Sequence, residues 1–325
     1  MTSKTRVRGI ATAKMLLGLI LLLLLLLWND NAARLVDILA RLDLRYLVIL
    51  FAIGVLSRVA RVVRWQAILR DRGSDLPFAR LFSLHLIGQF FSNFMPSMIG
   101  GDLAKVYLLG RQIKSQSRSA ASVVVDRFTG MAAMILLALS FTTMNPELTR
   151  EPLVGLSVGL ITLGSIAFLL LFLNARSLPL KSAVLGVFPG ARALVRSLVI
   201  LYDEILAYRR RYGVLLRALF YSILYYFLAS LGIYFGCRAI GLEPLFLDVA
   251  VVTPIAYLLM AVPVSPNNVG WWEWTLSLLL GGAGATMAEG LTVALVIRFV
   301  ATLLSLFGGV LFLLERVDHS NDPSR

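Results

Sequence analysis

Six stretches of mostly apolar residues, near 10–28, 46–64, 120–142, 153–174, 214–240 and 288–314, dictate what this chain can become. A helix needs about 20 such residues to cross a hydrocarbon core about 30 Å thick. Inside that core every backbone polar group must be satisfied internally, which a helix achieves and an open strand does not. The fold class expected is therefore all-α, a polytopic membrane helix bundle forming a single transmembrane domain over residues 1–325. Composition points to the same solvent. The chain is 58% hydrophobic and 15% charged, with mean hydropathy +0.83, whereas soluble domains carry about 25% charge. The first run contains Leu21–Leu27 and ends at Trp28-Asn29-Asp30. That is not a small-residue cleavage site, so the run reads as a retained first helix rather than a secretory signal.

Net charge is +13, but the basic residues sit in short loops between apolar runs, which argues against nucleic acid and for orientation by the positive-inside rule. Lys4, Arg6, Arg8 and Lys14 place the N-terminus in the cytoplasm. The second helix returns there beside Arg58, Arg61, Arg64, Arg70, Arg72 and Arg80, and the next cluster, Lys105, Arg111, Lys114 and Arg118, is also inside. The segment 81–101 lies between two inside clusters and contains Pro, Gly and Asn, so it reads as a re-entrant hairpin. A second broken segment, 246–281, enters from the opposite side, either as a hairpin or as two full crossings. The stretch 190–211 alternates apolar and basic residues and reads as an amphipathic helix on the inner surface. The last helix returns the C-terminus to the cytoplasm.

The two broken segments match in residue order. One reads Asn93-Phe94-Met95-Pro96-Ser97-Met98-Ile99-Gly100-Gly101-Asp102; the other reads Val262-Pro263-Val264-Ser265-Pro266-Asn267-Asn268-Val269-Gly270-Trp271-Trp272-Glu273. Each carboxylate is followed 25 residues later by an arginine in an apolar helix, Asp102 by Arg127 (127 − 102) and Glu273 by Arg298 (298 − 273). This suggests an inverted-topology repeat with half-repeats near 10–142 and 153–314. Transporters built this way hold substrate near the midplane, where broken helices free backbone groups.

A charge retained in the slab is a functional hypothesis by default. Arg127 and Arg298 either face a central cavity, pairing with Asp102 and Glu273 or holding a phosphate, or form structural pairs that lock each hairpin to its helix. Arginine suits phosphate because its planar guanidinium donates two bonds at once. Asp126, beside Arg127, is a further partner. Asp102 and Lys105 share a face if a helix begins at Gly101. Gly100-Gly101 serves a ligand or a tight turn. Asn267-Asn268 reads as a turn or as polar groups offered to a ligand. Trp271, Trp272 and Trp274 read as an interfacial belt. The candidate translocation residues are thus Asn93, Pro96, Gly100, Gly101, Asp102, Lys105, Asp126, Arg127, Ser265, Asn268, Gly270, Glu273 and Arg298.

These motifs in this order, Phe91-Ser92-Asn93-Phe94-Met95-Pro96 to Asp102, Asp126-Arg127 with Gly130, Pro263 to Glu273, and Arg298, resemble the flippase-like transmembrane domain of lysylphosphatidylglycerol synthases. The resemblance covers about residues 10–315. It implies movement of lipid between leaflets; in the full-length synthases a similar membrane domain moves aminoacylated phosphatidylglycerol that a separate soluble domain makes. The chain has no room for that soluble domain after its last helix, so aminoacyl transfer is not expected. Stand-alone relatives are linked to varied lipids, including hopanoids and polyprenyl-linked sugars. Asn267-Asn268 and Trp271-Trp272 depart from the smaller residues expected in the second motif.

The expected function is a lipid flippase or transporter for an anionic or modified lipid in the bacterial inner membrane, with no enzymatic activity. The expected partners are the lipid itself and envelope-lipid biosynthesis enzymes. No cofactor is expected, since no P-loop is present. One cysteine and two histidines do not make a metal site. Alternatives are an intramembrane enzyme acting on polyprenyl phosphate or phospholipid, and a non-catalytic subunit of an envelope-lipid synthesis complex.

Overall fold

The fold is seen in a computed structural model, which describes residues 16–27, 31–94, 100–144, 156, 159, 163–164, 204–208, 211–261 and 264–320. Helices follow one another along the chain: α1 (Leu16–Leu27), α2 (Asn31–Ala40), α3 (Leu44–Asp71), α4 (Phe78–Phe94), α5 (Gly100–Gln112), α6 (Gln116–Met144), α7 (Tyr212–Ala239), α8 (Phe246–Leu259), α9 (Trp271–Gly281) and α10 (Met287–Ser320). A short 3₁₀ turn, Pro266–Asn268, joins α8 to α9. Among the described residues there is no strand. Among the described residues four helices are long and apolar enough to span a bilayer: Leu44–Asp71, Gln116–Ser140, Tyr212–Ala239 and Met287–Leu314. They correspond to four of the six expected runs. Most of the 153–174 run and most of 190–211 lie outside the described residues.

Local sequence sets the ends. Asp43 caps α3 by accepting the Arg45 backbone N–H at 3.0 Å. The Arg45 side chain bonds the same carboxyl, and together these bonds hold it below the usual carboxylate range. Gly73 at φ 74° and Pro77 end one helix and begin the next. Thr286 and Glu289 bond each other's backbone N–H groups at the start of α10, a reciprocal cap.

The broken segments are pairs of short helices. α8 and α9 have 14 and 11 residues, about 21 and 17 Å at 1.5 Å per residue. Neither crosses a 30 Å core alone, so 246–281 is a hairpin and not two full spans. The first hairpin is larger than the 81–101 expected. Its arms are α4 and α5, and the second arm runs to Gln112. Lys105, a member of the basic cluster expected inside and expected to share a helix face with Asp102, lies on the packed hairpin arm α5, half-buried. Gly101 is a point of close helix approach. A Cβ on Gly101 would stand 1.9 Å from Ser92 Oγ and 2.1 Å from the Gly88 carbonyl, so glycine there lets α5 press onto α4.

Two sets of four helices correspond. α3 and α7 start at Leu44 and Tyr212, α4 and α8 at Phe78 and Phe246, a shift of 168 each time (212 − 44, 246 − 78). α5 and α9 start at Gly100 and Trp271, α6 and α10 at Gln116 and Met287, a shift of 171 (271 − 100, 287 − 116). Packing follows the same exchange. α4 lies on α5 and α10, and α8 lies on α9 and α6; α3 and α7 pack on each other. These two run antiparallel. Asp43 N–H bonds the Ala239 carbonyl at 3.0 Å, Tyr46 meets Phe235, Arg64 meets Ser222, and Ile68 shares a cluster with Ala218. The shift carries Asp43 to Arg211 and Ala239 back to Asp71, and those two form an ion pair at 3.8 Å. An antiparallel central pair means the two sets point in opposite directions along it.

Candidate functional site

Each set builds an arginine–carboxylate pair between its hairpin and the helix that follows. In the first, Asp102 sits in the opening turn of α5 and accepts Arg127 Nε from α6. Lys105, one turn on, brings Nζ to 4.0 Å from the same carboxyl and lies 5.9 Å over the Trp65 ring. In the second, Glu273 in the opening turn of α9 accepts Arg298 Nε and, at 3.3 Å, Nη2. The shift of 171 maps Asp102 onto Glu273 and Arg127 onto Arg298.

The surroundings differ. Glu273 is 1% exposed and also accepts the Gly270 N–H at 2.8 Å. Arg298 donates further to the Asn267 and Asn268 carbonyls at 3.2 and 3.0 Å. Those carbonyls face Arg298 because Asn267 and Asn268 adopt φ of 51° and 52° and Gly270 adopts 79°. Asn and Gly are the residues that tolerate this region, so the Asn pair is a turn and its carbonyls are arginine ligands. Arg127, in contrast, has a side chain 61% exposed. Asp126 does not pair with Arg127. It accepts Arg64 Nε at 2.6 Å and Nη2 at 2.7 Å, and Arg64 Nη1 donates to Ser222 Oγ at 2.9 Å.

Cavities lie against both pairs. One, of about 240 Å³, is lined by Arg61, Arg64, His85, Asp102, Lys105, Asp126, Arg127, Tyr257 and Asn268, among others. Another, of about 160 Å³, is lined by Asn93, Tyr257, Asn267, Arg298, Ala301 and Thr302 among others. The tips cross over: Asn268 of the second hairpin reaches the Arg127 cavity, and Asn93 of the first reaches the Arg298 cavity, donating to Ser305 Oγ at 2.7 Å. Asn268 donates to the Met260 carbonyl at 2.9 Å while its Oδ1 is buried without a partner.

Of the sequence candidates, Asp102, Lys105, Asp126, Arg127 and Asn268 meet around one cavity and Asn93 and Arg298 around the other. Ser265, Gly100, Gly101, Gly270 and Glu273 line neither; they hold the hairpins. Ser265 Oγ donates to the Val269 carbonyl at 2.6 Å. Pro96 lies outside the described residues. The tryptophans also join helices. Trp271, Trp272 and Trp274 donate their indole N–H groups to the carbonyls of Leu259, Ala294 and Leu21, tying α9 to α8, α10 and α1.

Sequence reasoning missed the arginines of α3. Arg58, Arg61 and Arg64 read there as orientation charges, yet Arg58 is 7% and Arg64 2% exposed. The available signal was their spacing of three within an apolar helix, which stacks them on one face. His85 is buried on the wall of the Arg127 cavity, with Nε2 unpartnered. Among the described residues no group of three His, Cys, Asp or Glu is placed to hold a metal ion.

Apolar spanning helices, two half-length hairpins and polar cavities between them define a polytopic helical membrane protein. Residues 11–309 match the family described as the lysylphosphatidylglycerol synthase TM region, and the chain belongs to that family. It is 23% identical over 316 residues, 91% of its own length and 94% of the relative's, to a UPF0104 membrane protein of Pyrococcus horikoshii. It is 30% identical over 108 residues, 33% of its length and 32% of the relative's, to a UPF0104 membrane protein of Methanocaldococcus jannaschii. No solved structure matches it.

Proposed function

We propose that the protein is a lipid translocator, without covalent chemistry of its own, that passes a lipid headgroup between leaflets of the cytoplasmic membrane. The observation that carries this is the pair of cavities, each placed between a hairpin and the long helix after it and each bearing a cation. Along α3 the two ion pairs stand at different levels. Asp126, next to Arg127, meets Arg64, while Val300, two residues past Arg298 in α10, packs beside Gly54. Ten residues separate Gly54 and Arg64 (64 − 54), about 15 Å of helix. A headgroup crossing about 30 Å of hydrocarbon needs polar company at such intermediate depths.

By the positive-inside rule both termini lie in the cytoplasm, the first hairpin opens inward and the second outward. The cargo is a phospholipid, a polyprenyl-linked lipid or a hopanoid-type lipid, and enzymes of envelope-lipid synthesis supply or consume it. The test is leaflet exchange of labelled lipids in proteoliposomes, comparing the wild type with Asp102→Asn and Arg127→Gln. Exchange that depends on both residues supports the reading. Folded protein that exchanges none of these three lipid classes rejects it.

A further inference from the structure

Arg58, Arg61 and Arg64 stand three residues apart on α3, about 4.5 Å of helix rise per step. Their partners are unequal. Arg64 is held by Asp126. Arg58 donates to Gln89 Oε1 at 2.7 Å and to the Gly54 and Ala301 carbonyls at 2.9 and 3.3 Å, all neutral. Arg61 packs its guanidinium 4.8 Å from the centre of the Tyr225 ring. Among the described residues, no carboxylate lies within ion-pair distance of Arg58 or Arg61. Asp126 and Asp102 share the Arg127 cavity with Arg61 but are held by Arg64 and Arg127. A guanidinium inside a spanning helix with no paired counter-ion is costly, and a ligand anion would supply that counter-charge.

These side chains also connect the two half-sites. Arg61 and Arg64 line the Arg127 cavity. Arg58 and Arg61 line a further cavity of about 200 Å³ between α3, α7 and α10. That cavity shares Ile297 and Ala301 with the Arg298 cavity, and Tyr257 lines all three. Packing does not demand the arginines. The shift of 168 places Tyr226, Ala229 and Gly232 at the corresponding positions of α7, and Ala229 and Gly232 line the cavity that Arg58 and Arg61 enter. The charges break the symmetry on one side only.

We propose that Arg58 and Arg61 pass the phosphate of an anionic lipid headgroup from the Arg127 half-site to the Arg298 half-site, with Arg64 fixed by Asp126 as the anchored end of the ladder. This rests on the translocation reading and names its cargo chemistry. A phosphate can take paired N–H donors from one guanidinium and reach the next a turn away, whereas a net-cationic headgroup meets like charge.

The test has two readouts on the purified full chain. Saturation binding of dioctanoyl-phosphatidylglycerol is measured against dioctanoyl-phosphatidylcholine and inorganic phosphate. Exchange of labelled phosphatidylglycerol is measured in proteoliposomes. Phosphatidylglycerol is expected to bind tightest. Arg61→Gln is expected to weaken that binding and slow exchange by about tenfold or more, the scale of one lost charged hydrogen bond. Arg61→Lys keeps the charge but not the paired donors and is expected to lose less; if Arg61→Gln fails to fold, the lysine variant alone decides, and wild-type affinity in it overturns the proposal. Wild-type binding and exchange in Arg61→Gln also overturn it. Inorganic phosphate competing as well as the lipid reassigns the ladder to a soluble anion. A wild type that exchanges no lipid refutes translocation; phosphatidylglycerol binding that still depends on Arg61 would then mark a static lipid-anion site and overturn the passage alone.

Discussion

Replacing Glu273 with Gln is expected to separate two ion pairs that look alike in sequence. Glu273 is almost fully buried and takes two bonds from Arg298 and one from the Gly270 N–H. The amide oxygen of Gln can keep the Gly270 bond. Arg298 is left with two neutral carbonyls from Asn267 and Asn268 and no counter-charge. Breaking a buried pair from one side costs about 3–5 kcal/mol. Asp102→Asn removes the corresponding charge, but there Arg127 is mostly exposed, and an exposed pair contributes about 0–1 kcal/mol. Thermal unfolding in detergent, followed by tryptophan fluorescence, is therefore expected to show a fall on the order of 10 °C for Glu273→Gln and a few degrees at most for Asp102→Asn. The double variant Glu273→Gln/Arg298→Gln is expected to be less destabilised than the sum of its singles, because the second change removes the orphaned charge. Equal effects of Glu273→Gln and Asp102→Asn, or strict additivity in the double variant, would refute the assignment of the second pair as a buried structural lock.

Asp126→Asn strands the Arg64 guanidinium with Ser222 and is expected to cost about 3–5 kcal/mol, read by the same unfolding experiment. Gly101→Val drives a side chain into Ser92 and the Gly88 carbonyl; overpacking of this kind costs about 1–3 kcal/mol, and the melting temperature is expected to fall accordingly. Asn93→Cys with Ser305→Cys, in a Cys237→Ser background, is expected to crosslink under mild oxidation, since the native side chains meet at 2.7 Å; no crosslink would contradict the reach of the first hairpin tip to α10.

The spanning helices and the 25-residue step from carboxylate to arginine were legible because both are local patterns. Apolar length reports a crossing, and a charge repeated at matched spacing reports a repeated need. The hairpin interior was less legible. The shared face of Asp102 and Lys105 was legible from their spacing of three, but not that α5 continues past Lys105 to Gln112. Trp271, Trp272 and Trp274 read as interfacial because tryptophan favours that zone, whereas their carbonyl partners come from α8, α10 and α1, which only tertiary packing brings near. Asp126 and Arg127 are neighbours in sequence, yet adjacent helix positions point about 100° apart, so each finds a different partner. The arginines of α3 were hidden by their own plausibility: a basic run at the inner end of a helix satisfies the orientation rule whether or not it faces a cavity.

The proposed route requires two half-sites offered to opposite faces of the membrane. In vesicles of known orientation, a single cysteine at Met131, on the Arg127 cavity, and one at Thr302, on the Arg298 cavity, would each be challenged with a membrane-impermeant thiol reagent from either side, in a Cys237→Ser background. Labelling of Met131→Cys from the cytoplasmic face and of Thr302→Cys from the opposite face is the predicted result. Labelling of both from the same face would contradict the inverted arrangement and, with it, the route proposed for the lipid.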